Sequence, residues 1–516
     1  MSDTNLQRRL GLLPMLSISV GAIIGSAWLF APLFVAQVAG PAGILSWVIA
    51  ISVAMLLALV YAELGAAFPV AGGLARFSYF SHGNLAGFLA GFSCWLGYVA
   101  FAPIEVQAII RYLADDWPWL LVAQGSTSLS GLGFIFASLL LLAMTAINLL
   151  GVSWFGETNK LITIWKVIVP VTIPVVLILH AFDGANFTDH GGFMPSGISG
   201  VFAAVSTGGA MVAMLGFRAA IEMAGEARNP SRDVPLALIG SVLITGGIYL
   251  LIQIGFVGAL PTESLAKGWS ALSSHVESGP FVELAAAAGV AWLIKLIFID
   301  AVVSPAGCGL VFSGASARLV YAMACNDQLP TAFKRLDRRG VPRWALAINF
   351  LVGLAFFAPS QTWQSIVGFI SSIQMISLAF GPASLLVLRR VAPNGPRPFR
   401  LPLAGPISLL AFFASNVIVY WCGWETNRMC FGLLAVAGVG FIAVRKISRS
   451  DEPLDLSGLR WLLPWLAVLT AVSWLGQFGG GTGTIPHGVD LAILAVTSLI
   501  ILAVSQVDPT SRLPED

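Results

Sequence analysis

Apolar runs long enough to cross a bilayer recur from one end of this chain to the other, and that pattern decides most of what it can become. A window of roughly 19 residues finds them near 11–38, 41–67, 84–112, 131–151, 159–181, 198–223 and 234–259. They continue near 281–324, 344–359, 362–388, 404–424, 429–445, 461–478 and 489–506. Such a run satisfies its backbone internally and crosses as a helix. The expected fold is therefore an all-α integral membrane protein with about fourteen transmembrane helices. Only 10% of the 516 residues are charged and 57% are hydrophobic, with a mean hydropathy of +0.87, which excludes a soluble domain. The stretch 281–324 is too long for one straight crossing, so its end is expected to run on as helix into the loop. Arg8 and Arg9 precede the first run, which is too long for a signal peptide and reads as a first spanning helix.

Charge sets the orientation. With the N-terminus inside, the loops facing the cytoplasm carry Arg228, Arg232, Lys334, Arg335, Arg397 and Arg400 among others, while the opposite loops carry little more than Lys267 and Arg428. By the positive-inside rule both termini are cytoplasmic. The net charge of +2 is scattered, so no nucleic-acid partner is expected.

Two of the runs are interrupted. In the first, Gly21-Ala-Ile-Ile-Gly-Ser-Ala27 places glycines where a spanning helix should be continuous. A break there frees backbone N–H and C=O groups at membrane depth, and these need a partner. Carbonyls that end one half-helix attract a cation, and N–H groups that open the next attract an anion. One break can thus hold both ends of an α-amino acid, or be a kink with no ligand. The sixth run repeats the feature in Gly208-Gly-Ala-Met-Val-Ala-Met-Leu-Gly-Phe-Arg218. Two broken helices five segments apart are the signature of an inverted repeat, hence of a transporter.

These residues, with Gly216-Phe-Arg-Ala-Ala-Ile-Glu-Met-Ala-Gly-Glu-Ala-Arg-Asn-Pro-Ser-Arg-Asp-Val-Pro235 and Ser316-Ala-Arg-Leu-Val-Tyr-Ala-Met-Ala-Cys-Asn-Asp-Gln-Leu-Pro330, resemble the amino acid–polyamine–organocation superfamily of permeases. The resemblance spans roughly residues 10–450 and is greatest to the aspartate–proton symporter branch. It implies a five-plus-five inverted-repeat (LeuT-like) core, in which segments 1, 2, 6 and 7 rock against a scaffold of 3, 4, 8 and 9. By the same resemblance the substrate carboxylate meets N–H groups at Gly25, Ser26 and Ala27. The amino group meets carbonyls of Ala22 and Ile23 in the first break and of Val212, Ala213 and Leu215 in the sixth. The family often has glycine where this chain has Ala27, which adds a methyl but keeps the N–H. Lys166 stands where sodium-coupled relatives hold their ion.

Ionisable side chains inside the membrane each cost about 2.5–3.5 kcal/mol and should be paired or functional. Six are expected there: Glu105, Lys166, Arg218, Glu222, Lys295 and Asp300. Lys166 is the proton-coupling candidate, against the alternative of a lysine that permanently bridges carbonyls. Arg218, always charged, can hold the side-chain carboxylate of an acidic substrate, or instead pair with Glu222 or Asp300. By depth Lys295 suits Glu105, and Asp300 suits Arg218. Asp300 and Glu105 join Lys166 as proton-coupling candidates, with permanent ion pairs as the other reading. Ser304, Ser371, Ser372 and Gln374 can line the pocket or simply pack, and Trp28 and Phe217 can flank it.

No metal site and no cofactor are expected: the five cysteines lack ligand spacing and read as packing residues, and the five histidines fall in loops or at segment ends. The parts are a cytoplasmic tail at 1–10, the transport core at 11–390, helices 11 and 12 at 404–446, two further helices at 461–506 and a tail at 507–516. The expected function is import of amino acids by proton symport, tilted to aspartate and glutamate, in a bacterial inner membrane. Its partners are the substrate, protons, the lipid bilayer and a second copy of the chain through the last two helices. A neutral amino acid permease or exchanger, and a sensor that binds without translocating, are the competing readings. An enzyme is not expected.

Overall fold

The computed structural model describes residues 10–123, 126, 128–150, 152–272, 279–358, 362–447 and 455–507. The tail at 1–9, Arg8 and Arg9, His275 and most of the tail at 507–516 lie outside them. Among the described residues the chain is helical, with two isolated bridges and no strand.

The first apolar run is two helices, α1 (Leu12–Ile23) and α2 (Ala27–Ala39), separated at Ile24–Ser26. A 3-10 turn at Gly40–Ala42 leads into α3 (Gly43–Ala67). Next come α4 (Gly73–Leu113), α5 (Gly131–Asn148) and α6 (Val152–Ala181). The sixth run is α7 (Gly197–Ser206), α8 (Ala210–Met214), a 3-10 turn at Leu215–Arg218 and α9 (Ala219–Glu222). Its two halves are bent by 44°. Then follow α10 (Pro230–Gly258), α11 (Thr262–Leu265), α12 (Pro280–Ala287), α13 (Ala291–Cys325), α14 (Arg343–Leu354) and α15 (Trp363–Val391). The chain ends in α16 (Ala404–Trp421), α17 (Trp424–Ile447), α18 (Leu459–Leu475) and α19 (Val489–Ser505). Nine helices among the described residues are long and apolar enough to cross a membrane, or ten if the bent pair counts as one span. Four more apolar helices are shorter, α1, α18 and α19 among them.

The run at 281–324 does continue as helix past its end, to Cys325, but it is broken near its start. Gly289, at φ 71°, ends α12 in a conformation that other residues avoid, so the stretch is a short helix followed by a 35-residue one. His82 is likewise no loop residue: it is buried within α4, its Nδ1 2.7 Å from Ser81 Oγ and its ring 5.0 Å from that of Trp461.

Packing sorts the helices into groups. The halves of the two broken runs pack with α3 and α10, while α4, α5, α13 and α14 pack with one another. Helix α6 touches both groups. Helices α18 and α19 cover α16 and α17, and buried amides tie them inward: Asn416 donates to Ser498 Oγ at 3.0 Å and accepts from Trp465 Nε1 at 2.8 Å. Asn427 accepts from Ser372 of α15 at 2.6 Å and donates to Ser473 of α18 at 3.0 Å. Interhelical hydrogen bonds of this kind add to apolar packing in holding membrane helices together.

Candidate functional site

The two breaks meet backbone to backbone. A Cβ at Gly216 would run into the peptide of Ala22 and Ile23, so only glycine allows this approach. Ser19 of α1 adds a hydrogen bond to the carbonyl of Phe217 at 2.9 Å. The sixth run unwinds at Thr207–Gly209, where Gly209 has φ 92°, and loosens again in the 3-10 turn at Leu215–Arg218. Val212 and Ala213 therefore lie in the short helix between, and the Val212 carbonyl accepts from Leu215 N–H.

Every carbonyl at the end of α1 is met by a side chain from another helix. Lys166 Nζ of α6 donates to Gly21 O at 2.5 Å, Cys308 Sγ of α13 to Ala22 O at 3.2 Å, and Tyr249 of α10 to Ile23 O at 2.9 Å. Cys308, expected only to pack, is thus a donor at the break. On the other side of the break, Ser26 N–H donates to Glu105 Oε2 of α4 at 2.6 Å. A carboxylate of the chain itself sits on an N–H that the resemblance assigns to the substrate carboxylate. Trp363 Nε1 of α15 donates to Ser26 Oγ at 3.2 Å. A Cβ at Gly25 would strike Glu105 Oε1 and, at 2.7 Å, Cys308 Sγ, so the second glycine of the motif is also fixed by close approach. Ala27, its neighbour, opens α2 and is buried.

The charges are arranged differently from the depth-based pairing. Lys295 is exposed and Glu105 bonds Ser26, so those two do not pair. Asp300 faces away from Arg218: its Oδ1 accepts from Trp165 Nε1 at 2.7 Å and from Ser304 at 2.8 Å. Glu105 and Asp300 are instead the carboxylates whose charge acts on Lys166. Depth along a helix places residues at one level but does not say which way each points, and that is why the pairing fails. Trp28 and Phe217 are fully buried, Trp28 against Phe281 with ring centroids 5.3 Å apart.

Arg218 is fully buried and pairs with neither Glu222 nor Asp300. It donates through Nη1 to Gln374 of α15, and its Cζ lies 4.6 Å from the ring centroid of Tyr98. Its Nε and Nη2 have no hydrogen-bond partner among the described residues. Gln374 also donates to Cys94 O at 3.1 Å, which fixes its amide. Ser371 and Ser372 serve structure, bonding Ser206 O and Asn427. Among the described residues no group of His, Cys, Asp and Glu is placed to hold a metal ion. Tyr249, Trp165, Trp363 and Tyr98 carried no sequence signal, since each is an aromatic residue in an apolar run.

Comparison with known proteins gives this geometry a context. Residues 10–444 match the family described as "Amino acid permease". The chain is 38% identical over 501 residues to the "Aspartate-proton symporter" of Bacillus subtilis, covering 96% of both chains. It is 36% identical over 505 residues to the "Glutamate/serine transporter AimA" of the same organism, covering 96% of this chain and 93% of that one. The human "Cationic amino acid transporter 4" matches at 29% over 414 residues, 77% of this chain and 62% of that one.

Proposed function

As this chain belongs to the amino acid permease family, we propose that it imports amino acids with protons and prefers aspartate and glutamate. The observation that carries the acidic preference is Arg218: a fully buried guanidinium whose Nε and Nη2 lack hydrogen-bond partners, and to which no carboxylate is bonded, among the described residues. A buried cation left without an anion is costly, and a substrate side-chain carboxylate would supply one with bidentate geometry. The names of two relatives, an aspartate–proton symporter and a glutamate/serine transporter, support the same reading.

In this reading the α-carboxylate of the substrate binds the N–H groups of Gly25, Ser26 and Ala27. Its ammonium takes carbonyls of Ala22, Ile23, Val212, Ala213 and Leu215. The present donors to Ala22 and Ile23 are a thiol and a phenol, and a charged ammonium forms the stronger bond. Proton coupling follows from Glu105. While charged, it competes with the substrate for Ser26 N–H; once protonated it holds that N–H more weakly and the substrate carboxylate displaces it. Proton and substrate then favour each other's binding, which is the thermodynamic condition for symport. Lys166 and Asp300 complete the relay, with Lys166 bridging the end of α1 to α6.

The finer architecture belongs to the same proposal: about fourteen crossings in a bacterial inner membrane, both termini cytoplasmic, and a five-plus-five inverted repeat over 11–390. Helices 11 and 12 span 404–446, and the pair at 461–506 offers its outer face to a second copy. The test is uptake of radiolabelled aspartate into proteoliposomes under an inward proton gradient. Accumulation that a proton ionophore abolishes and glutamate displaces is expected. Displacement by neutral amino acids only would discard the acidic preference, and binding without uptake would favour a sensor.

A further inference from the structure

Glu222, one helical turn past Arg218, is a fully buried carboxylate that the scheme above does not use. Its Oε1 accepts from the Tyr98 hydroxyl at 3.5 Å, and its Oε2 has no partner among the described residues. The titratable and charged groups whose fields reach the same place are Arg218 on its own segment, Tyr61 of α3, and Cys94 and Tyr98 of α4. Of these only Arg218 carries a charge at neutral pH. Arg218 does not pair with Glu222 but stacks on the opposite part of the same tyrosine, 4.6 Å from its ring centroid. Tyr98 therefore touches both a buried cation and a buried acid, each with polar atoms that have no partner among the described residues.

Tyr98 also lines a crevice between α4, α5, α13 and α14 that admits water-sized groups. Thr145, Ser313, Ser316 and Asn349 share that lining. Ser316 Oγ and Asn349 Nδ2 are buried there without hydrogen-bond partners among the described residues. Thr145 and Ser316 lie in the halves of α5 and α13 that the proposed orientation turns to the cytoplasm.

We propose that Glu222 is a second proton-carrying carboxylate of this transporter, discharged to the cytoplasm through the Tyr98 hydroxyl and the crevice behind it. The proposal rests on the reading of Arg218 as the anchor of an acidic substrate. With Arg218 unliganded its charge favours the Glu222 anion. A substrate carboxylate on Arg218 cancels that field, and Glu222 takes up a proton. When the substrate leaves inward the field returns. The O–H bond of Glu222 then breaks as its proton passes to the Tyr98 oxygen, and the original Tyr98 proton leaves to water in the crevice. Tyr98 ends neutral and Glu222 anionic. Linkage makes the coupling reciprocal, so each substrate carries one more proton than Glu105 alone would supply.

The experiment uses the full chain in proteoliposomes loaded with a pH-sensitive dye and compares aspartate accumulation with proton influx at several imposed gradients. Each coupled proton multiplies the limiting accumulation ratio by about tenfold per pH unit. Glu222→Gln is expected to lower that ratio by about tenfold per pH unit and the proton-to-aspartate ratio by one, while aspartate exchange changes less than about threefold. Tyr98→Phe should slow internal acidification with the limiting ratio preserved, and Glu222→Asp should restore the ratio. An unchanged proton-to-aspartate ratio in Glu222→Gln overturns the proposal. So does loss of aspartate binding in both Glu222 variants, which would make the carboxylate structural. If the wild-type chain takes up aspartate without any proton influx, the symport reading fails first, at a step where no variant is involved, and the proposal falls with it.

Discussion

The first break and the sixth run are built from the same material, glycines interrupting an apolar helix, yet they reach opposite electrostatic states. Around Ile24–Ser26 the free backbone groups are met from four other helices, by Lys166, Cys308, Tyr249 and Glu105. Around Leu215–Arg218 a guanidinium is held by Gln374 and the face of Tyr98 and keeps two nitrogens without partners among the described residues. One break is closed by the protein's own groups, which in the proposed function the substrate displaces; the other holds a charge that, in the same proposal, the substrate completes. Displacement suits coupling, because the displaced group can change protonation, whereas completion suits selectivity, because only some ligands carry the second anion.

Replacing Lys166 by alanine tests the closed side most severely. Removing one member of a buried charged cluster leaves the others uncompensated at ~3–5 kcal/mol, so proton-driven accumulation should fall by about 100-fold or more. Accumulation that persists with ordinary pH dependence would make the lysine a fixed bridge and erase the contrast. Arg218→Ala tests the open side. Hydrogen bonds to a charged group contribute about 1.5–3 kcal/mol, so aspartate affinity in a competition assay should drop by roughly 10–100-fold while neutral amino acids change little. Equal loss for both classes would show that Arg218 only supports the fold.

Glu105→Gln sharpens the idea of displacement. In the wild-type chain aspartate binding should strengthen as pH falls, because protonation weakens the hold of Glu105 on Ser26 N–H. Glutamine fixes the neutral condition, so binding at alkaline pH should improve by up to about tenfold and the pH dependence should flatten. A variant that keeps the wild-type pH profile would remove Glu105 from coupling. The smallest effect is expected for Tyr249→Phe. Loss of one neutral hydrogen bond to Ile23 O costs about 1 kcal/mol. Thermal unfolding in detergent should shift down by only about 1 degree with transport retained; total loss of transport would mean that closure of this break is far more finely balanced than its hydrogen bonds suggest.

Much of this was legible in the residues. Gly21-Ala-Ile-Ile-Gly-Ser-Ala27 marked the first break, and the helix ends at Ile23 and restarts at Ala27. Gly208 and Gly209 marked the start of the second and Gly216 lies in the 3-10 turn at its far side, where it also makes the close contact with Ala22 that no sequence pattern announced. The burial of Glu105, Lys166, Arg218, Glu222 and Asp300 also agreed with the sequence, while Lys295 reached the surface.

What the sequence determined by itself was the class of solvent, the presence of two interrupted helices and the identity of the charges forced to share the interior. Apolar run length and the cost of unsatisfied backbone in hydrocarbon are local properties, readable one segment at a time. Only the tertiary structure decided that Glu105 meets Ser26, that Asp300 meets Trp165 rather than Arg218, and that no carboxylate among the described residues bonds Arg218. A helix that is apolar on every side carries no stripe to announce its rotation. Its facing is settled by the packing of neighbours far away in the chain, and partners for buried charges are chosen by that facing.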